Sequence, residues 1–357
     1  MESRILIAWK DVESTPATLE IIKARVQQFN RNETFHFLSM LNNYLCLGDG
    51  AVPNNKGEVT DKETTQFLNT LFSPSLQIKI IDLWQRDRAA FGRNRIVFSR
   101  TQLLALMKFV LLWADEDGEL IPNDGFVGKF YLGELLLMLT DYFDTNLPIT
   151  LEDTITEVLP GFELTNPPPR QALFDRISRS HEYMKTLRDD STLFAPNGTA
   201  WPDVFEAKEG VPVETLFVIV LGILRQHLKY DDVQSYLDER GAINFSREEY
   251  FRNFLKPTSH LDGFFRLSSK TIDQLALEMK KSDGGFNLKH DFLKFRETPI
   301  IYLSEDIFTC VDIHFLLEKF TTNLVYLIEA SLPVDDKQPT KKISCICISG
   351  GAIMEKQ

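Results

Sequence analysis

The sequence predicts a mainly α-helical protein, a multi-helix bundle with a small α+β region (a β-hairpin plus a helix) near the C-terminus. Apolar residues recur at helical spacing over most of the chain, and strongly apolar segments such as Leu103–Ala114 and Leu216–Leu224 have the length of buried helices. Near the end, two short β-type runs, Ile300–Leu303 and Ile307–Val311, flank the polar turn 304–306. An amphipathic helical pattern follows them directly.

Size and composition place the chain among ordinary globular proteins. Its 357 residues are 43% hydrophobic and 25% charged, so it can bury a large core, and two domains are expected from its size. The formal net charge is −12. This charge argues against a protein whose whole surface binds nucleic acid or anionic lipid, so any such contact requires a local basic patch.

Cysteine usage and hydropathy indicate the cellular compartment to expect for the protein. The four cysteines are too few and too unevenly placed for a disulfide framework, which fits a reducing cytoplasm. The N-terminus has an acidic Glu2 and no long apolar run, unlike a signal peptide. The strongest apolar segments are shorter than the roughly 18 to 20 residues that span a bilayer. We therefore expect a cytoplasmic protein without membrane contact.

Residues 1–165 form the first predicted domain, which is helical. Thr15 can cap a helix that begins at Pro16, and Thr60 with Glu63 has the spacing of a capping box. Segments rich in Asn, Asp, Gly and Pro separate the further helices, which we predict over 74–91, 100–114, 126–143 and 151–158.

Three prolines, Pro167–Pro169, mark a boundary because they remove backbone donors and hold the chain extended. A second helical region, 170–256, follows. Ser246 and Glu249 again match a capping box, and 190–211 reads as a long irregular connection. The predicted helices of this region cover 170–188, 212–229, 230–239 and 246–255.

After Pro257 the sequence pattern changes from helical to a mixture of helical and β-type segments. Residues 257–332 form the predicted small α+β region. Ser269–Lys281 reads as a short helix that precedes the hairpin. Residues 333–357 read as a polar linker and a strand-like tail, because Ile343–Ile348 has a β-type pattern. A buried strand needs a partner, so we expect either the front part of a longer protein or an altered C-terminus.

Strong catalytic signatures are absent from the sequence, including those of P-loop, zincin, serine-hydrolase and zinc-ribbon proteins. Residues 115–120 resemble a calcium loop, with Gly118 at the sharp turn and Asp115 and Asp117 at ligand positions. Trp113 occupies the first ligand position, however, and Asp124 stands where a Glu is usual. A solvated loop between helices explains the segment better than calcium binding.

Two sets of residues have the amino-acid types of a metal-dependent nuclease site, in which two carboxylates hold a divalent metal and a lysine assists the water. Their spacing would place each set on one helix or turn instead of on two strands, so we attribute both to chance. The sets are Asp203, Glu206 and Lys208, and Asp273, Glu278 and Lys280.

The histidine and cysteine patterns are weak evidence for catalysis or metal binding. His314 lies two residues after Asp312 in the predicted C-terminal helix, where a surface or packing role is the default. Cys345 and Cys347 form a single Cys-x-Cys pair, which small buried side chains of a strand explain as well as a metal does. We expect no metal and no cofactor.

Two clusters of basic residues stand out from the acidic background. The first carries Phe91 and Phe98 between its arginines, and the second follows the proline boundary. Arginine forks interleaved with aromatic rings suit phosphate contact and base stacking, but they equally suit ion pairing with this chain's carboxylates. The candidate nucleic-acid contacts are Arg86, Arg88, Arg93, Arg95, Arg100, Arg176 and Arg179.

A family resemblance rests on the residues around the hairpin. These are Phe292 and Phe295, then Pro299 and Ile300, then Ile307 and Val311, and Asp312 followed by Phe315, Leu316, Leu317 and Glu318. The segment resembles one found in multidomain bacterial proteins, often of antiviral-defence type, in which a helical N-terminal region precedes a nuclease domain. Gly351–Glu355 is similar to the Gly-x-Ile/Val-Phe-Glu sequence that tends to open that domain, with Met354 in place of Phe. The resemblance implies a nuclease part beyond this chain and transfers no catalytic residue.

These observations favour a non-catalytic recognition or assembly module of a larger bacterial nucleic-acid-processing or antiviral-defence system. Its expected partners are another protein or a missing C-terminal domain, nucleic acid through a local arginine patch, or further copies of itself. The alternative is a metal-dependent nuclease whose carboxylates are scattered in sequence. A third hypothesis is a calcium-responsive helical protein built on residues 115–124.

Overall fold

A computed structural model describes residues 7–13, 15–47, 68–91, 100–146, 170–190, 198–228, 230, 232–241, 246–247, 251, 258–281 and 288–332. Within these residues the protein is mainly helical, with one small mixed sheet near the C-terminal end, which confirms the predicted fold class. The helices in chain order are α1 (Trp9–Val12), α2 (Leu19–Val26), α3 (Arg31–Leu47), α4 (Pro74–Phe91), α5 (Arg100–Trp113), α6 (Phe126–Asn146), α7 (Arg170–Asp189), α8 (Trp201–Glu209), α9 (Val213–Leu228), α10 (Val233–Arg240), α11 (Thr258–Ser268), α12 (Ile272–Lys281), α13 (Leu288–Glu297), α14 (Ile313–Phe320) and α15 (Leu324–Ser331). The strands are β1 (Ser269–Thr271), β2 (Ile300–Tyr302) and β3 (Phe308–Cys310).

The chain divides into two compact units, each built from separate stretches of sequence. Unit 1 comprises Met1–Pro169, Leu224–Asn253 and Ser268–Phe315. Unit 2 comprises Arg170–Ile223, Phe254–Leu267 and Leu316–Gln357. The division into four consecutive segments remains a prediction.

Helix α3 is the centre of unit 1. It is buried on almost every side, including the polar Asn42 and Asn43, and it packs against α5, α10 and β3. Helices α1 and α2 pack on α6, and α12 packs on α5. Burial of apolar side chains from all these helices supplies the main stabilisation of this unit.

The sheet of unit 1 has the strand order β1-β2-β3. The predicted hairpin is confirmed, because β2 and β3 pair antiparallel with Ile301 opposite Thr309. The predicted helix Ser269–Lys281 begins later than expected, since Ser269–Thr271 instead pairs with β2 in parallel. Parallel strands need a crossover connection, which α12 and α13 provide here.

The predicted single helix after the hairpin is in fact two helices, α14 and α15, separated by residues 321–323. Thr321 Oγ1 donates to the carbonyl of Leu317, four residues earlier, at 2.5 Å. Side-chain hydrogen bonds of this kind compete with the helical backbone pattern. The Asn323 N–H bonds instead to the Glu318 carbonyl, five residues earlier, at 2.9 Å.

The first helices also differ from the sequence pattern. The helix predicted at Pro16 begins at Leu19, with Thr18 as its N-cap accepting from the Ile21 N–H at 3.4 Å. The Asp141 carboxylate of α6 accepts the backbone N–H groups of Lys10 in α1 and of Ala17, which attaches the chain before α2 to α6. Helix α4 has the predicted bounds, and α5 and α6 differ only at their ends. Predictions on Thr60, Glu63 and 151–158 lie outside the described residues.

Unit 2 contains a helix where the sequence predicts an irregular connection. Helix α8 has a proline in its first turn and ends at Gly210, which has a φ of 67°. Such left-handed residues commonly end helices, and glycine adopts this conformation without strain. Helix α8 packs against α7 and α15, so its apolar residues Trp201 and Phe205 are buried.

Arg188 of α7 joins three carboxylates within unit 2. Its guanidinium bonds to Asp203 at 3.1 Å and also to Glu206 and Glu214. Partial burial disfavours the charged guanidinium, but the hydrogen bond and charge of Glu214 and the charge of Glu206 outweigh it and raise the pKa of Arg188. The carboxylates are thereby fixed in ion pairs that tie α7 to α8 and α9.

We expect Arg188→Met to lower the free energy of unfolding by about 2 kcal/mol, because three carboxylates lose charge-assisted hydrogen bonds. Arg179→Met on the exposed side of the same helix is the matched control, with an expected change under about 0.5 kcal/mol. Urea unfolding followed by circular dichroism measures both. Equal losses for the two variants would show that the ion pairs of Arg188 do not stabilise unit 2.

Candidate functional site

Asp312 lies at the centre of a buried polar cluster in unit 1, between β3 and α14. Its side chain is fully buried, and Oδ1 accepts the backbone N–H groups of His314 at 2.9 Å and Phe315 at 3.1 Å. These bonds satisfy donors that the first turn of a helix leaves without partners. Asp312 is therefore the N-cap of α14.

Arg100, the first residue of α5, supplies the opposite charge. Its Nε donates to Asp312 Oδ2, and its guanidinium carbon lies 4.6 Å from the centre of the Phe315 ring. Burial disfavours the charged carboxylate, but the charge and hydrogen bond of Arg100 outweigh burial and lower the pKa of Asp312. The cluster thus contains a buried ion pair that joins α5 to the start of α14.

Two consecutive asparagines of α3 complete the cluster. Asn42 Nδ2 donates to the Val311 carbonyl at 2.9 Å and to Asp312 Oδ2 at 2.8 Å. Asn43 donates to the Cys310 carbonyl at 2.6 Å and accepts from the Ile313 N–H at 2.7 Å. The two asparagines therefore bond to the buried carbonyls of Cys310 and Val311 and to the N–H of Ile313. Buried backbone groups of this kind need hydrogen-bond partners.

The cluster contains the residue types of a nucleophilic triad, Cys46, His314 and Asp312, but not its geometry. His314 Nε2 donates to the backbone carbonyl of Cys46 at 3.2 Å. The thiol itself donates to Asp312 at 3.8 Å, and burial followed by the Asp312 charge raises the pKa of Cys46. A buried thiol held in its protonated form is a poor nucleophile.

His314 thus has the packing role that the sequence predicts as its default. Cys310 is also buried, and burial raises the pKa of its thiol. Because every side chain of the cluster is buried, its chemistry is structural: it fixes α3, α5 and the hairpin to the start of α14. Sequence reasoning missed this role, although two adjacent asparagines within an apolar helix are an available signal.

A second buried polar cluster in unit 1 surrounds His227. Its Nδ1 lies 2.5 Å from the hydroxyl of Tyr236. His36 Nε2 donates to the Arg240 carbonyl at 2.7 Å, and Arg240 Nε donates to the Tyr230 hydroxyl at 2.9 Å. Burial first, then the charges of Arg240 and His36, lower the pKa of His227 to about 3. His227 is therefore neutral over the ordinary pH range.

The first arginine cluster is only partly described. Arg86 is exposed on α4, whereas the side chain of Arg88 and all of Arg93 and Arg95 lie outside the described residues. Arg100 is not exposed, although the sequence suggests it as a nucleic-acid contact. It is buried against Asp312 and Phe315, so it is not available for an exposed nucleic-acid patch.

The second arginine cluster lies on α7 of unit 2. Arg179 and Lys185 are exposed and Arg176 is half-buried, while Phe174 is an exposed aromatic ring on the same helix. The apolar side of α7 is buried, including Ile177 and Met184. Helix α7 therefore exposes Arg179, Lys185 and Phe174, together with the carboxylates of Asp175 and Glu182.

The nuclease-like residue sets stay within single helices, as their spacing predicts. Asp203, Glu206 and Lys208 all belong to α8, where the two carboxylates pair with Arg188. The other set belongs to α12, where Glu278 accepts from Lys270 at 2.8 Å and Asp273 pairs with Arg31 at 2.6 Å. Neither set has the two-strand arrangement of that nuclease class.

The loop that resembles a calcium site is used for packing. The Arg31 N–H bonds to the Asp115 carbonyl and the Asn30 N–H to the Leu120 carbonyl, both at 2.9 Å. A Cβ on Gly118 would lie 2.1 Å from the Phe29 carbonyl oxygen, so glycine is required here by a close backbone approach. Glu116 pairs with Arg31.

No group of three or more His, Cys, Asp or Glu side chains in the described part of the chain is arranged to hold a metal ion. No described helix combines the length and the apolar character needed to cross a membrane. Comparisons of the chain with protein-family models, with curated proteins and with solved structures find no match.

Proposed function

We propose that this chain is a non-catalytic recognition or assembly module of a larger bacterial nucleic-acid-processing or antiviral-defence system. The observation that carries the proposal is the exposure of Arg179, Lys185 and Phe174 on the one helix α7. Guanidinium groups bind phosphate oxygens, and an exposed ring offers a surface for base stacking.

The charge of α7 differs from that of the whole chain. Residues 170–189 contain five Lys or Arg residues against three Asp or Glu residues, whereas the chain carries a net charge of −12. Arg188 of this helix is committed to Asp203, Glu206 and Glu214. The exposed charged residues of α7 are Arg179 and Lys185 together with Asp175, Glu182 and Asp189. A nucleic-acid contact through a few basic side chains of an acidic protein is expected to be limited and salt-sensitive.

The resemblance to helical regions of bacterial defence proteins supplies the expected context. Its residues are core residues here: Phe292 and Phe295 are buried, and Asp312 caps α14. The proposal assigns the catalytic step to a domain or protein outside this chain.

Fluorescence anisotropy with labelled single-stranded DNA and RNA tests the proposal. Arg176→Glu with Arg179→Glu should weaken binding at least about tenfold and reduce the slope of log affinity against log salt by about two. The control, Lys23→Glu with Lys280→Glu, makes the same change in net charge on exposed side chains of α2 and α12. Arg93→Glu with Arg95→Glu tests the first cluster in the same assay.

Two outcomes contradict the proposal. If the wild-type chain shows no salt-sensitive binding, or if the control loses as much affinity as the α7 variant, the α7 arginines are not a ligand patch. Magnesium-dependent cleavage of the probe by the purified chain, abolished by a chelator, would support the nuclease alternative instead.

A further inference from the structure

Four residues of helix α7 in unit 2 form an exposed stripe along the helix. They are Phe174, Ser178, His181 and Lys185, and each of them is exposed. Their spacing of i, i+4, i+7 and i+11 places them on one side of the helix over a length of about 16 Å. We call these four residues the α7 stripe. It combines an aromatic ring, a hydroxyl, an imidazole and an ammonium group.

The carboxylates of α7 lie beside or beyond the α7 stripe. Asp175 and Glu182 each follow a residue of the stripe by one position, which rotates them by about 100° around the helix. Arg179 lies between them at spacings of four and three residues, which are those of neighbours on a helix surface. Asp189 lies one turn beyond Lys185. An anion that lies along the α7 stripe therefore meets its polar and basic groups.

His181 lies within the α7 stripe, and its ring packs against α9. The side chain is 48% exposed, and its ring centre lies 6.0 Å from that of Phe217 in an edge-to-face arrangement. On its own helix, Nδ1 lies 3.9 Å from Glu182 Oε1, and Lys185 is one turn further along. The protein therefore positions the imidazole while leaving about half of the side chain open to a ligand.

The carboxylates of α8 and α9 near this part of α7 are bonded to Arg188. On α9, Glu214 interacts electrostatically with His181 and pairs with Arg188. On α8, Asp203 and Glu206 pair with the same guanidinium. Because these carboxylates are already bonded to the guanidinium, the exposed side of a protonated His181 remains available to an anion.

His181 is the most exposed histidine among those whose side chains the structure describes. His36, His227 and His314 are buried, and His260 of α11 is half-buried. Histidine is the side chain whose charge ordinarily changes between about pH 5 and pH 8. Among the described histidines, a pH-dependent contact with a ligand at the surface is therefore expected at His181.

We propose that protonated His181 contacts the phosphates of a single nucleic-acid strand, so that the α7 stripe binds the strand more tightly in mildly acidic than in mildly alkaline solution. The ring of Phe174 stacks with a base, and the ammonium of Lys185 contacts a phosphate one turn along. Strand binding and protonation favour each other by linkage. The proposal rests on the proposed function, because it takes the same helix as the ligand site and adds a pH dependence to it.

Fluorescence anisotropy with a labelled oligothymidylate, measured at constant ionic strength at about pH 6 and about pH 8, tests this contact. Thymine does not titrate in this range, so the probe itself does not change. Wild type should bind about fivefold more tightly at the lower pH, because the imidazolium adds a charge-assisted phosphate contact. The slope of log affinity against log salt should also be steeper there by about one.

Three variants make the test specific. His181→Gln should bind equally at both pH values, with the affinity of wild type at the higher pH. His181→Arg carries its charge at both pH values and should bind at both as wild type does at the lower pH. His260→Gln, which changes the half-buried histidine of the same unit, should keep the wild-type pH dependence. Melting curves at both pH values show that each variant is folded.

Two results would overturn this inference while leaving the proposed function intact. One is wild-type binding that is salt-sensitive but equal at the two pH values. The other is His181→Gln binding that retains the wild-type pH dependence, which assigns the proton to another group. Absence of salt-sensitive binding at either pH would instead overturn the proposed function together with this inference.

Discussion

Asp312→Ala lowers the free energy of unfolding by about 3 to 5 kcal/mol, the largest effect we expect from a single substitution in this chain. The change removes the N-cap of α14, and it leaves Arg100 charged and buried without its described ion-pair partner. The cost of an uncompensated buried charge exceeds that of a lost cap, which is about 1 kcal/mol.

A graded series separates these two contributions. Asp312→Asn keeps an oxygen that can cap α14, so it should lose less stability than Asp312→Ala. Adding Arg100→Met to Asp312→Asn removes the buried charge and should recover part of the loss. Glu305→Ala, an exposed acid of the hairpin turn, is the control. If urea unfolding places Asp312→Ala within about 1 kcal/mol of that control, the ion pair does not hold α14 to the core.

Acidification should destabilise the protein through His227. Its pKa is about 3 in the folded chain and 6.5 in the unfolded chain, so between these values the unfolded state binds more protons. The contribution of His227 to the free energy of unfolding is fully present above pH 6.5. It is lost as the pH falls toward 3, by about 1.4 kcal/mol per pH unit. Arg240 and His36 increase the effect because their charges oppose protonation of His227.

The measurement is the urea midpoint at about pH 7.5 and about pH 4.5 for wild type and for His227→Gln. The variant loses the hydrogen bond to Tyr236 and is less stable at the higher pH, but it should lose about 3 kcal/mol less than wild type between the two conditions. His181→Gln, the same substitution at an exposed histidine, should keep the wild-type dependence. Parallel pH dependences for all three proteins would exclude His227 as the source.

Local patterns were sufficient to predict most helices and the hairpin, because both depend on the spacing of apolar residues and on turn chemistry. The helix α8 was missed, although Pro202 in its first turn and Gly210 after its last are ordinary helix-boundary signals. Strand β1 has only three residues, and its pairing with Ile300 lies across an entire helical crossover. Nothing in the local sequence around Ser269 distinguishes it from the first turn of a helix.

The buried polar clusters around Asp312 and His227 were harder to predict than the helices and strands. Arg100 follows a run of arginines that reads as one basic segment, yet its partner Asp312 is 212 residues away. Charge patterning along the chain carries no information about such a pair. His227 likewise shows no local sign of burial, because its environment comes from α3 and α10 as well as from its own helix.

The hydrogen bond between Asn42 and Asp312 joins positions separated by 270 residues. Helix α3 leaves the ribosome early, but the groups that bond to Asn42 and Asn43 are synthesised only after most of the chain. Long-range closures of this kind slow folding and keep partly folded chains exposed. A nascent chain released before β3 and the start of α14 therefore has an unfinished core, which makes early-terminated products natural targets for chaperones and proteases.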